Sequence, residues 1–137
     1  MSRILIVTID SVFRSSLRTL FEAHHEFMVC GDTGDAAEAI KKASKLQPGL
    51  IILDSALASI NGFETAKALN SALPSVRLFL IMDEYSFRAE KEALHSGIYA
   101  VFAKDEDLTC LIANARVACG IKDSGAGIEM AVQGGNR

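Results

Sequence analysis

Asp54 closes the apolar run Leu50-Ile51-Ile52-Leu53, and Lys104 closes another, Val101-Phe102-Ala103. A carboxylate and an ammonium at the C-terminal ends of strands in an open α/β sheet lie where such folds place their chemistry. The carboxylate can accept a group or help to hold a cation, and the ammonium can neutralise an anion beside it. Few acidic companions accompany them. The residues that follow the first apolar run are Thr8 and Ile9, with Asp10 one position later.

The elements that must carry these residues follow a repeating pattern. Ile4-Leu5-Ile6-Val7 is a continuous apolar run, the signature of a strand buried on both faces. Asp10 or Ser11 then caps a helix whose core face reads Phe13, Leu17, Leu20 and Phe21. Phe27-Met28-Val29-Cys30 forms a second strand. Asp35-Ala36-Ala37-Glu38 has the form of a capping box, with Ala36, Ile40 and Ala43 at helical spacing behind it. Pro48-Gly49 breaks the chain before the third strand, Leu50 to Leu53. Asn61-Gly62-Phe63-Glu64 opens a third helix with Phe63, Ala66, Leu69 and Leu73 inward, stopped by Pro74.

Leu78 to Met82 is the fourth strand. The helix after it, from about Ser86 to His95, has a thin apolar face of Phe87, Ala89, Ala93 and Leu94, so it is expected to be the most exposed and mobile. Gly97 ends it. Tyr99 to Ala103 is the fifth strand, and Leu108, Leu111, Ile112, Ala115 and Cys119 line the last helix. Five strand–helix units with short connections imply a parallel sheet with helices on both faces and right-handed crossovers. Residues 1–120 read as one domain. Residues 121–137, with Gly125, Gly127, Gly134 and Gly135 and no periodicity, read as a flexible linker or tail.

Composition narrows the function classes. A chain of 137 residues makes one domain with a real core. Half of its residues are hydrophobic, yet no apolar run approaches the roughly 20 residues of a membrane span. The short apolar run before Asp10 does not form a secretory signal, so a cytoplasmic location is expected. A net charge of −3 without a basic block argues against nucleic-acid binding by this segment. Cys30, Cys110 and Cys119 are too few and too scattered for a disulfide framework or a zinc site, and read as small buried hydrophobes in a reducing compartment. His24, His25 and His95 fall at helix C-termini, where solvation explains them better than metal ligation. Asp105-Glu106-Asp107 reads as an N-terminal charge cluster on the last helix.

The chain resembles a two-component response-regulator receiver domain, closest to the type found in NarL/FixJ-like regulators of the LuxR family. The matching segments are Ile4 to Val7, Phe13-Arg14, Leu53-Asp54 with Gly62 eight residues on, His95-Ser96-Gly97, and Lys104-Asp105. The resemblance implies a flavodoxin-like (CheY-like) three-layer fold with a five-stranded parallel sheet in the order 2-1-3-4-5. It implies that Asp54 is the phosphoacceptor, receiving a phosphoryl group from a sensor histidine kinase, and that Lys104 pairs with a phosphoryl oxygen. It implies magnesium, held by acids after the first strand, by Asp54 and by the backbone carbonyl at Ala56. Homodimerisation through the first and last helices is a further implication.

Several positions depart from the family pattern. Its paired acids correspond to Thr8, a neutral ligand at best, and Ile9, which cannot ligate; Asp10 is left to cap the helix or swing to the metal. Its phosphate-binding hydroxyl corresponds to Met82 and its switch aromatic to Val101. Tyr99, two residues earlier in the same strand, is expected on the face of Val101. A proline four residues past the aspartate corresponds to Ala58. The preferred reading is therefore an atypical receiver that works mainly by contact with a kinase or other signalling protein, with weak or no phosphorylation, weak magnesium binding and no enzymatic activity of its own. With the acids gone, Lys104 could also pair permanently with Asp54. The alternative is a working, magnesium-dependent phosphoacceptor of a LuxR-type transcription regulator. An unrelated flavodoxin-like enzyme is a third reading. A phosphatase of the haloacid-dehalogenase kind would need an acid at Ala56, and a flavin-binding loop is poorly matched by Thr8-Ile9-Asp10-Ser11.

Overall fold

The computed structural model describes residues 1–57, 62–105 and 108–121, and of Gly62 and Phe63 the backbone alone. Strands β1 (Ser2–Val7), β2 (Phe27–Thr33), β3 (Leu50–Asp54), β4 (Arg77–Met82) and β5 (Ala100–Ala103) alternate with helices α1 (Ser11–Glu22), α2 (Ala36–Leu46), α3 (Gly62–Ala72), α4 (Phe87–His95) and α5 (Thr109–Ala118). The strands form one parallel sheet in the order β2-β1-β3-β4-β5, as the resemblance implies.

Alternation along the strands divides the core into two layers. Leu5, Val7, Ile51, Leu53, Leu78 and Leu80 face the layer covered by Ala39, Ala43, Ala66, Leu69 and Ala93 of α2, α3 and α4. Ile4, Ile6, Leu50, Ile52, Phe79 and Ile81 face Leu17, Phe21, Leu111 and Ile112 of α1 and α5. Every residue of β3, the strand that delivers Asp54, is buried, and the strand is paired on both sides, with β1 and with β4. Each aliphatic side chain buried there stabilises the fold by about 1.5–3 kcal/mol before entropy is charged against it.

The strand ends are aligned by register. Val7 pairs with Leu53, Asp54 with Ile81 and Met82 with Ala103. Thr8, Asp54, Asp83 and Lys104 therefore emerge at one edge of the sheet.

Three expectations change. The second strand runs on through Gly31-Asp32-Thr33, because a register shift between Ile4 and Leu5 lets these polar residues pair with Leu5, Ile6 and Val7. Tyr99 precedes β5 instead of opening it. Its ring stacks on Phe79 at 6.0 Å in the α1/α5 layer, whereas Val101 packs in the other layer, so the two do not share a face. Helix α4 is exposed as its thin apolar face implied: it buries Ala93 and partly covers Ala89, and Phe87 and Leu94 stay exposed. The capping box before α2 is half formed. Asp35 accepts from the Glu38 N–H at 2.8 Å, but the Glu38 carboxylate takes the Thr33 hydroxyl instead of the Asp35 N–H. That hydroxyl in turn accepts from the Asp35 N–H.

Gly97 ends α4 as expected, at φ +90, with the Ile98 N–H closing back on the Ala93 carbonyl. Ile121 bonds back to Arg116 and packs against the α1/α5 layer. The three cysteines are free and half-buried, and burial pushes the Cys30 and Cys119 thiols up, which makes both poor nucleophiles. The Nδ1 of His24 meets the Arg116 guanidinium, and His95 Nδ1 lies 3.0 Å from the Lys91 carbonyl. Ala58, Asn61, Glu106, Asp107 and the tail from residue 122 lie outside the described residues. No helix among the described residues is long and apolar enough to cross a membrane.

Candidate functional site

Asp54 sits at the end of β3 with only 2% of its surface exposed. Burying a carboxylate demands hydrogen bonds, and two are supplied locally. The Ala56 N–H donates to Oδ1 at 2.9 Å, an Asx turn that follows from the chain leaving the sheet directly after the aspartate. The Thr8 hydroxyl donates to Oδ2 at 2.7 Å. Thr8 is as deeply buried as Asp54, and its oxygen also lies 3.4 Å from the Asp10 N–H.

The next two residues turn away from Asp54. Ile9 is 47% exposed. Asp10 caps α1, its Oδ1 accepting from the N–H groups of Val12 and Phe13 at 3.0 and 3.1 Å. Its other oxygen meets Lys104 Nζ at 3.2 Å. The sequence left Asp10 a choice between capping and facing the site; it caps, and it also takes the lysine. The Phe13 N–H, followed by the Lys104 ammonium, holds the Asp10 carboxyl below its ordinary value.

Lys104 leaves β5 with its backbone N–H fixed to the Met82 carbonyl at 2.8 Å. Its ammonium pairs with Asp10 and, at 3.6 Å, with Asp83, and it lies 4.8 Å from the centre of the Phe13 ring. Asp54 acts on it by charge and not by a hydrogen bond, so the permanent Lys104–Asp54 pair is not formed. Partial burial works against the charged form of Lys104. The hydrogen bond to Asp10 and the charges of Asp54, Asp83 and Asp10 outweigh it and raise the lysine above its ordinary value.

Met82 is buried among the side chains of the α2/α3/α4 layer, and Val101 packs against the same cluster. Ala56 is exposed beside the site. The structure thus gathers Thr8, Asp10, Asp54, Ala56 and Lys104 at one edge of the sheet and leaves Ile9, Met82 and Val101 without polar chemistry. It adds Asp83, which sequence reasoning missed although it directly follows the fourth strand, and Arg14, whose guanidinium donates to the Thr8 carbonyl at 2.6 Å. Among the described residues, no three His, Cys, Asp or Glu side chains converge as a metal-binding group.

A family model described as the response regulator receiver domain matches residues 4–116. The DNA-binding transcriptional activator DevR/DosR of Mycobacterium tuberculosis is 30% identical over 93% of this chain and 56% of its own length. The transcriptional regulatory protein LnrK of Bacillus subtilis is 29% identical over 77% of this chain and 48% of its own. The chain spans about half the length of these curated relatives. The signal receiver domain of the response regulator NarL from Mycobacterium tuberculosis superposes with a TM-score of 0.81 at 21% identity, covering 88% of this chain and 98% of that one, a likeness of fold.

Proposed function

We propose, from the premise that this chain belongs to the response regulator receiver domain family, that it is an atypical receiver of a two-component system. It signals mainly through protein contact, and Asp54 is weakly phosphorylated or not at all. The observation that carries this reading is the Thr8–Asp54 hydrogen bond, 2.7 Å long and buried, at a position where the resemblance implies a metal-binding acid.

Receiver domains generally bind magnesium at the phosphorylation site. The residues present here do not fit that ion well. Magnesium dehydrates reluctantly and is usually held by one or two carboxylates with near-octahedral geometry. Asp54 offers one carboxylate, both of whose oxygens already accept a hydrogen bond. Asp10 is committed to its cap and to Lys104, and Ile9 offers no donor. Two anions, the carboxylate and an incoming phosphoryl group, would then meet with Lys104 as the cation beside them. Met82 and Val101 supply neither a hydroxyl for the phosphoryl group nor a ring to turn, which further favours a state set by binding.

The partner classes that fit are a sensor histidine kinase, another signalling protein, or a second copy of this chain. A helical surface supports contact: Val12 on α1 is 75% exposed, next to a shallow groove of about 670 Å³ whose walls include Ser15, Ser16, Thr19, Leu20 and Leu108. Among the described residues no charged side chain lines that groove, so those residues set up no like-charge repulsion between two copies meeting there.

The deciding experiment is intact mass after incubation with magnesium and acetyl phosphate, beside an Asp54→Asn control and an ordinary receiver. No gain, at a dose that modifies the ordinary receiver, is expected. A gain of one phosphoryl group that disappears in the control would overturn the reading in favour of a working phosphoacceptor.

A further inference from the structure

Helix α1 and the end of β2 build a charged scaffold beneath the turn that carries Thr8. Side chains on a helix lean towards its N-terminus, so Arg14, in the first turn of α1, reaches back over the end of β1. Its Nη1 donates to the Thr8 carbonyl at 2.6 Å, and its Nε lies 3.5 Å from Asp32 Oδ1. Arg18 grips the other Asp32 oxygen with Nε and Nη2 at 3.1 and 2.6 Å and reaches Glu22 as well. Asp32 stands there because β2 pairs with β1 through Ile6–Asp32 and Val7–Thr33, and the Thr8 N–H then bonds to the Thr33 carbonyl.

Space for the guanidinium is made by a glycine. A Cβ on Gly34 would lie 3.0 Å from Arg14 Nη1, 3.2 Å from the Thr8 carbonyl oxygen and 3.4 Å from the Ile9 Cα. Any side chain at this position would press on both partners of the Arg14–Thr8 bond.

We propose that Arg14 is the positioning residue of the Thr8–Asp54 contact: its guanidinium, anchored on Asp32 and admitted by Gly34, grips the Thr8 carbonyl and fixes the threonine hydroxyl on the Asp54 carboxylate. The backbone of Thr8 is then held from both sides, its N–H by Thr33 and its carbonyl by Arg14. A peptide so clamped has little freedom to rotate, and the side chain borrows that rigidity. The bond is charge-assisted and one-quarter exposed at the arginine, which favours a strong contact. This inference deepens the function proposed above and rests on its Thr8–Asp54 contact.

The test follows the Asp54 carboxyl carbon by NMR at neutral pH, the resonance being assigned by its loss in Asp54→Asn. Thr8→Val, which deletes the hydroxyl, is expected to shift that resonance. Arg14→Met is expected to shift it with the same sign, Gly34→Ala likewise, and Arg14→Lys, which keeps a donor and a charge, is expected to return it towards the wild-type position. Gly34→Ala and Arg14→Lys retain every charge of the scaffold, so the test does not depend on Arg14→Met folding. A resonance that moves in Thr8→Val and stays in place in the Arg14 and Gly34 variants would overturn the role of Arg14 while leaving the Thr8 contact intact. A resonance unmoved by Thr8→Val would overturn the contact itself and the role of Arg14 with it, while the phosphorylation assay tests the functional reading separately.

Discussion

Replacing Thr8 with valine keeps the shape of a buried side chain and removes the one proton it donates to Asp54. The carboxylate stays buried with one partner lost, and an unsatisfied buried group costs about 1–3 kcal/mol. Thr8→Val is therefore expected to lower stability by that amount in urea denaturation, while Thr8→Ser, which retains the hydroxyl, loses much less. Equal losses in the two variants would mean that packing, not the hydrogen bond, is what matters at this position. Asp10 makes a different prediction. The Phe13 N–H and Lys104 hold its carboxyl below the ordinary value of 3.8, so the unfolded chain binds the proton more readily. The stabilisation is present above that value and is lost as the pH falls through the lower folded-state value. Asp10→Asn keeps a capping oxygen and removes the charge. It should be less stable than the native protein at neutral pH, and the two denaturation midpoints should converge in acid. A difference that persists unchanged into acid would remove the ion pair from the account.

At the scale of elements, the turn after α4 can be tested directly. Gly97 adopts φ +90, and a Cβ there would fall 1.8 Å from the Asn70 side-chain nitrogen, which bonds to the Gly97 carbonyl. Left-handed backbone costs an ordinary residue about 1–2 kcal/mol, and Asn70 must move as well. Gly97→Ala is expected to destabilise by at least that amount, with the midpoint of unfolding as the measure. This glycine was readable in the sequence because a helical pattern stops there. The strands were readable for a similar reason: Ile4 to Val7 and Leu50 to Leu53 are apolar on both faces, which only a sheet covered on both sides requires. The end of β2 was hidden, since Gly31-Asp32-Thr33 reads as a turn until the register shift in β1 brings it into the ladder. Tyr99 was misplaced because period-two alternation was extended one residue beyond the strand that enforces it. In the site, the spacing of Asp54 and Lys104 reveals that both stand at strand ends. It does not reveal that Lys104 turns to Asp10 and Asp83, which depends on side chains brought together across 94 and 21 residues of chain.

Across the whole molecule, cohesion is unevenly distributed. The sheet is buried on both faces, and α1, α2 and α5 each set at least two residues fully into one of its layers. Helix α4 contributes Ala93 alone as a buried residue and leaves Phe87 and Leu94 in water. An alanine buries far less apolar area than the Leu17 and Phe21 pair that anchors α1, and at roughly 25 cal/mol per Å² the difference in holding energy is several-fold. The Ser86 cap, whose side chain accepts from the Ala89 N–H, secures the first turn of α4 but adds no tertiary contact. Local opening is expected where buried apolar contacts are few. Backbone amides of α4 should therefore exchange with deuterium well before those of α1 and α5, at a rate insensitive to changes at Thr8 and Asp54, since the helix is weakly held by its own composition. Binding of a partner over Phe87 and Leu94 would slow that exchange, because it would supply the apolar cover that the fold withholds. Protection of α4 equal to that of α1 in the isolated chain would show that its thin apolar face is compensated by contacts other than burial.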